Sequence, residues 1–259
     1  MVQLLDVYKE FVKGARRVEV LEGITLSVDR HEFATILGPS GCGKSTLLNM
    51  VAGFDGPTRG RVLFDGAPVL APDPRRAVVF QEPALFPWYS VLDNITFGLK
   101  ARGIRPADHR RTVQGYVEQM GLQGFESHYP AELSGGMKQR VGIARVLAME
   151  PDVLLMDEPF GSLDAQTRSL MQELLLSVWE RHHQAVLFVT HDIEEALLLA
   201  DTVAVMTARP GRIKKRVAVD LPRPRSLEVT TSPAFNALKR ELLALIREES
   251  VRAATERVP

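Results

Sequence analysis

A chain of 259 residues, 45% apolar and 25% charged, has ordinary globular composition and room for one large domain or two small ones. Its 32 basic residues balance 32 acidic ones, which argues against a generic nucleic-acid or anionic-lipid surface. One cysteine rules out a disulfide framework and fits a reducing compartment. The start MVQLLDVYKEF does not read as a signal peptide, and no apolar run approaches the roughly 18 residues of a bilayer span.

In chain order, the first thirty or so residues alternate apolar and polar positions, as does GRVLFDGAPV (60–69); both are expected to be antiparallel strands. FATILG (33–38), AVVFQ (77–81), VLLMDE (153–158), AVLFVTH (185–191) and TVAVM (202–206) are short, β-branched and barely alternating. Such runs suit strands of a parallel sheet buried on both faces. Helical periodicity fills the gaps, so the fold class is α/β. Residues 87–150 lack strand runs and read as a helical insertion between two core strands. After Arg209 the sequence becomes basic and turn-rich, then LPRPR (221–225) forces extended backbone. Ser232 followed by Pro233 is a helix start, and Phe235, Leu238, Leu242 and Ile246 mark one face of a docked amphipathic helix.

Gly38, Pro39, Ser40, Gly41, Cys42, Gly43, Lys44, Ser45 and Thr46 follow a strand run and precede a helical one. This is the G-x-x-x-x-G-K-[ST] pattern in its required context. Glycines let backbone N–H groups turn toward phosphate oxygens, and the helix N-terminus adds positive potential. Lys44 is expected to reach the β- and γ-phosphates and the Ser45 hydroxyl to ligate Mg²⁺. VLLMDE supplies Asp157 for the metal and Glu158 to polarise a water. None of Asn49, Asn94 and Asn236 is followed by lysine, so no guanine-reading N-K-x-D exists and ATP is favoured. Cys42 occupies a variable position of the loop and is given no catalytic role. His31, His109, His128, His182 and His183 fall in no motif and read as surface or loop residues.

A second cradle, ELSGGMKQR (132–140), raises the question of why one chain needs two. Ser134 can cap a helix whose first amides Gly135 and Gly136 leave open, with Met137, Val141, Ala144 and Ala148 on one face and Lys138, Gln139 and Arg140 staying polar. LSGGMKQRVGIARVL resembles the signature motif of ABC ATPases. DEPFGSLDAQTR is similar to their Walker B and D-loop segment, and VTHDIEEA to their switch-histidine segment. The resemblance covers about residues 1–215 and is strongest to importer subunits of the nitrate, sulfonate and taurine class, where FQEPALFPWYSVLDNI and the LPRPR tail also have counterparts.

The resemblance implies a P-loop NTPase (RecA-like) core with an antiparallel β subdomain and a helical subdomain near 87–150, followed by a linker and helix from 221 to 259. It also implies a head-to-tail dimer, in which Ser134, Gly135 and Gly136 hold the γ-phosphate bound to the partner's Lys44. Position by position, Gln81 matches the Q-loop glutamine that senses Mg²⁺ and water. Glu158 matches the residue polarising the attacking water, Asp164 the D-loop acid and His191 the histidine at the γ-phosphate. Phe11 matches the aromatic that stacks on adenine, with Tyr8 as its rival; Met137 departs from the more usual glutamine. LFPWYSVL (85–92) is either a core turn or a groove for a permease helix. The implied partners are transmembrane permease subunits and, through them, a solute-binding protein. The implied location is the cytoplasmic face of the inner membrane, and no nucleic acid is involved. An exporter or lipid-transport ATPase is the alternative. A DNA-repair-type ATPase is disfavoured, because residues between Lys44 and Ser134 carry neither sustained heptads nor a cysteine pair.

Overall fold

The computed structural model describes residues 1–14 and 16–255, with the backbone alone at Lys13, Arg16, 106–108 and 250–255. The elements run β1 (Val2–Lys13), β2 (Arg16–Val28), β3 (Phe33–Leu37), α1 (Lys44–Ala52), β4 (Arg59–Phe64), β5 (Ala67–Pro68), β6 (Arg76–Val79), α2 (Val91–Ala101), α3 (Pro106–Gln119) and α4 (Gly135–Leu147). They continue with β7 (Val153–Asp157), α5 (Ala165–His182), β8 (Ala185–Thr190), α6 (Ile193–Leu199), β9 (Thr202–Met206), β10 (Ile213–Ala218) and α7 (Pro233–Thr255). They form two compact units, one made of Met1–Asp73 with His183–Pro259, the other of Pro74–His182.

In the first unit β2, β1, β4 and β5 form an antiparallel sheet, with Leu4 opposite Leu26 on one side and Val62 on the other. The alternation seen in the sequence is that of one buried face: Val2, Leu4, Ile24, Leu26, Val62 and Phe64 are all buried. A second set of strands lies in the order β10, β9, β3, β8. β3 is parallel to both neighbours, and every residue of β3 and β8 is buried, as their unbroken apolar sequences require.

β10 departs from the expected turn-rich segment. IKKRVA is a strand antiparallel to β9, with only Val217 fully buried. Its basic residues hide the pattern because they sit at an edge, where charged side chains are tolerated and block further pairing.

The tail docks as its sequence predicts. Ser232 Oγ accepts the amide of Phe235 at 3.2 Å, and Phe235 and Leu242 are buried with Leu238 and Ile246 half-buried beside them. Glu249 continues that face inward. Its carboxylate accepts the Ala208 amide at 3.0 Å and the Lys214 ammonium at 2.6 Å. Ahead of the helix, the buried Arg225 donates Nη1 to Ala200 O at 2.6 Å and to the carbonyls of Leu197 and Leu198. Its Nη2 donates to those of Val219 and Leu221.

In the second unit β6 runs parallel to β7, with Val79 opposite Met156. Between them in sequence come α2, α3 and α4, packed around Val91, Ile95, Leu99, Val117, Val141 and Ala144, all buried. Sequence placed Gln139 on the polar side of α4. It is instead only 1% exposed, its amide turned onto the carbonyl of Phe80.

Candidate functional site

In the first unit the glycine-rich loop leaves the buried end of β3 and returns as α1. Lys44, 4% exposed, donates Nζ to Gly38 O at 3.0 Å and to Pro39 O at 3.2 Å, so the loop curls around its own ammonium. Gly43 turns the chain with φ 106°, and a Cβ there would lie 2.6 Å from Leu21 Cδ2; only glycine meets both conditions. Arg209 Nη2 ties the loop from outside, donating to Gly41 O at 3.1 Å. Ser45 is exposed in the first turn of α1, and Thr46 is half-buried behind it.

His191 belongs to the same edge. Leu37 pairs with Thr190, so Gly38 and His191 are the next residues out of adjacent parallel strands, the edge where open α/β sheets bind ligands. Asp192 then caps α6, accepting the Glu195 amide at 3.0 Å. On β1, Phe11 is 46% exposed with the Lys9 ammonium 5.0 Å from its ring centre, and the Tyr8 ring is faced by the Arg59 guanidinium at 4.5 Å.

In the second unit the same geometry recurs. Val79 opposite Met156 makes Gln81 and the pair Asp157, Glu158 leave one edge of β6 and β7. Gln81 Nε2 comes within 3.4 Å of where a Cβ on Gly161 would stand, as does Glu158 O. Glu158 sits at φ 43°, a left-handed conformation that costs a side-chain-bearing residue on the order of 1–3 kcal/mol and is characteristic of functional turns.

Ser134 caps α4, its Oγ accepting the Met137 amide at 3.3 Å. Around Gly135 there is open space where a Cβ would point. At Gly136 a Cβ would stand 2.7 Å from Thr167 Cγ2. Thr167 in turn holds Asp164: its amide and hydroxyl donate to that carboxylate at 3.0 and 2.7 Å, and they pull the Asp164 pKa below its ordinary value. Signature and D-loop thus meet through Thr167, a residue the motifs alone did not flag. Arg168, donating to Phe160 O and Leu163 O, and the fully buried Asn94, whose amide spans Phe86, Tyr89 and Ser90, were likewise not anticipated. Their contacts are to backbone carbonyls and amides, which leave no spacing signal.

The LFPWYSVL stretch is partly packed and partly exposed. Phe86 packs on Tyr89, Phe97 and Trp88 at centroid distances of 5.5, 4.5 and 5.9 Å, yet Trp88 is 68% exposed. Among the described residues no group of three His, Cys, Asp or Glu could cage a metal. A Mg²⁺ bound through a serine hydroxyl, a carboxylate and phosphate oxygens requires no such cage. No described helix is long and apolar enough to cross a membrane.

A lysine-bearing glycine loop between a buried parallel strand and a helix defines a P-loop nucleotide-binding protein. The ABC transporter family matches residues 21–161. An uncharacterized ABC transporter ATP-binding protein from Methanocaldococcus jannaschii is 48% identical over 248 residues, 96% of this chain and 92% of its own. An aliphatic sulfonates import ATP-binding protein, SsuB, from Bacillus cereus is 46% identical over 242 residues, 93% of this chain and 94% of its own. A dimeric ATP-binding cassette solved in a post-hydrolysis state with ADP and Pi matches with TM-score 0.74 and 31% identity, covering 86% of this chain and all of that one. CbiO1 from Clostridium perfringens, part of an ABC transporter complex, matches with TM-score 0.75 and 28% identity over 100% of this chain and 95% of its own. The chain belongs to the ABC transporter family as an ATP-binding subunit with the ABC ATPase fold.

Proposed function

We propose that the chain is the ATP-hydrolysing subunit of a binding-protein-dependent importer, acting as a head-to-tail dimer at the cytoplasmic face of the membrane. The observation that carries the dimer is the N-terminus of α4: capped by Ser134, with open space beside Gly135, it is an anion site that the chain's own P-loop does not need. The cargo class follows the relatives named for aliphatic sulfonates import; taurine or another alkanesulfonate is the favoured solute, ahead of nitrate.

In this reading Phe11, exposed where Tyr8 is half-buried, stacks on adenine. The amides of residues 38–46 and Lys44 hold the phosphates. Bound Mg²⁺ supplies charge neutralisation of the β- and γ-oxygens. Ser45 and Asp157 hold that ion, directly or through water, and Gln81 senses it. Glu158 takes the proton of the attacking water, a contribution of about 10²–10⁴-fold for a positioned base. His191 contacts the γ-phosphate, while the partner's signature amides stabilise the charge that develops there. Asp164 joins the two sites of the dimer. Trp88 and its neighbours receive a cytoplasmic helix of the permease, as exposed aromatic patches often do.

The decisive experiment reconstitutes this subunit with its permease and measures phosphate release. A sulfonate-loaded binding protein is expected to stimulate hydrolysis. Stimulation by a nitrate-loaded one instead would overturn the cargo, and hydrolysis indifferent to every binding protein would overturn the importer.

A further inference from the structure

The signature helix grips more than its own cap. Along one side of α4, positions 139, 142 and 145 recur at helical spacing, and each touches the segment that carries Gln81. Gln139 Nε2 donates to Phe80 O at 3.4 Å, and Gly142 brings Pro83 O to 3.4 Å from where a Cβ would stand. Arg145 is the strongest of the three. Its Nη1 and Nη2 donate to the adjacent carbonyls of Ala84 and Pro83, both at 2.9 Å, and its guanidinium lies 5.7 Å from the Phe86 ring centre. Burial depresses the Arg145 pKa, the sign of a cation drawn out of water to make these contacts. A fork with two donors fits two successive carbonyls; a lysine ammonium would not reproduce it.

The gripped segment is itself under tension. Ala84 has φ 44°, a conformation that a residue with a Cβ avoids at a cost of roughly 1–2 kcal/mol. It is held from the other side by Asn94, whose Oδ1 accepts the Phe86 amide at 2.9 Å and whose Nδ2 donates to Phe86 O at 3.2 Å. Residues 83–86 are therefore clamped between α2 and α4, and the next residues are those of the exposed aromatic patch.

We infer that Arg145 is a positioning residue that locks the signature helix to the Trp88 patch, so that phosphate capture at Ser134 and partner docking at Trp88 bias each other through residues 83–86. This rests on the functional reading above for what arrives at either end. Coupling of this kind is reciprocal, so it can be read from the phosphate side with no permease present.

The chain contains two tryptophans, Trp88 and Trp179. Labelled with 5-fluorotryptophan it gives two ¹⁹F resonances, assigned with Trp88→Phe. The Glu158→Gln chain is brought to its MgATP dimer, scored by size exclusion before spectra are taken. The Trp88 resonance is expected to shift on dimerisation. In Glu158→Gln/Arg145→Met the dimer should still form and the ATP-dependent shift should be lost, with Arg145→Lys in between. An unaltered shift in the Arg145→Met dimer, or no shift in the parent dimer, overturns the inference. Failure of the Glu158→Gln chain to dimerise at all overturns the functional reading and the inference with it. Should Arg145→Met not fold, judged by thermal unfolding, Arg145→Lys carries the same test: an undiminished shift rejects the lock and a reduced one supports it.

Discussion

Two helix N-termini in this chain are built for anions, and they are built differently. At α1 the loop wraps its own lysine, buries it, and uses a glycine at φ 106° to bring backbone against Leu21. At α4 the first residues after the cap are glycines instead of a lysine; a serine caps the helix, Gly135 opens on empty space, and Gly136 lies tight on Thr167. The first is a complete cradle. In the proposed reading the second presents amides and dipole to a phosphate held by the partner chain. The contrast teaches that similar glycine-rich sequences separate by what surrounds them: enclosure at α1 suits holding a nucleotide, and exposure at α4 suits closing over one held elsewhere.

The sharpest way to break the contrast is to damage each end alone. Lys44→Ala should lower phosphate release by about 10²–10³-fold, the range for loss of a main electrostatic stabiliser. Ser134→Arg should abolish hydrolysis equally while leaving binding of a fluorescent ATP analogue to the single chain unchanged. Mixed together, the two variants should regain activity through one intact composite site per heterodimer. No recovery above either variant, with subunit exchange demonstrated, would contradict a site shared between chains. Glu158→Gln should slow turnover by about 10²–10⁴-fold and trap an ATP-bound dimer visible by size exclusion; unimpaired hydrolysis would remove Glu158 from its role.

Smaller effects separate the two glycines of α4. Gly136→Ala places a Cβ 2.7 Å from Thr167 Cγ2 and should destabilise the chain by about 1–3 kcal/mol in urea unfolding. Gly135→Ala meets nothing and should be neutral or gain up to about 1 kcal/mol from helix propensity. The smallest expected effect is a pH dependence at Asp164. Its folded pKa is lowered by the Thr167 amide and hydroxyl, so its stabilisation is complete above the unfolded carboxylate value and fades as pH falls through the lower folded one. The urea midpoint should therefore drop between pH 5 and about pH 3 slightly more in the parent than in Asp164→Asn; equal drops would show that the cap contributes nothing.

Much of this was legible in the residues because buried parallel strands leave unbroken apolar runs. FATIL, VLLMD and AVLFVT are strands to within a residue of their expected ends, and the glycine loop and signature sit where strand and helix patterns require. β10 escaped notice because Lys214, Lys215 and Arg216 obscure a strand whose one buried residue is Val217. Gln139 reads as a polar helix position and Arg145 stands in no recognised role, and only the folded chain brings backbone carbonyls to them. The cations that stand beside the Phe11 and Tyr8 rings, Lys9 and Arg59, likewise left no spacing signal.

Arg225 has a consequence for where the molecule can be cut. One guanidinium joins three carbonyls at the end of α6 to two on the strand-exit segment, 2.6 Å from the nearest, inside a region where water is excluded. A chain shortened before Leu221 would leave the α6 carbonyls facing that interior with their donor gone, and it would uncover the surface that Phe235 and Leu242 bury. The segment from Leu221 onward thus works as a keystone, set late in the chain and needed by the helix before it.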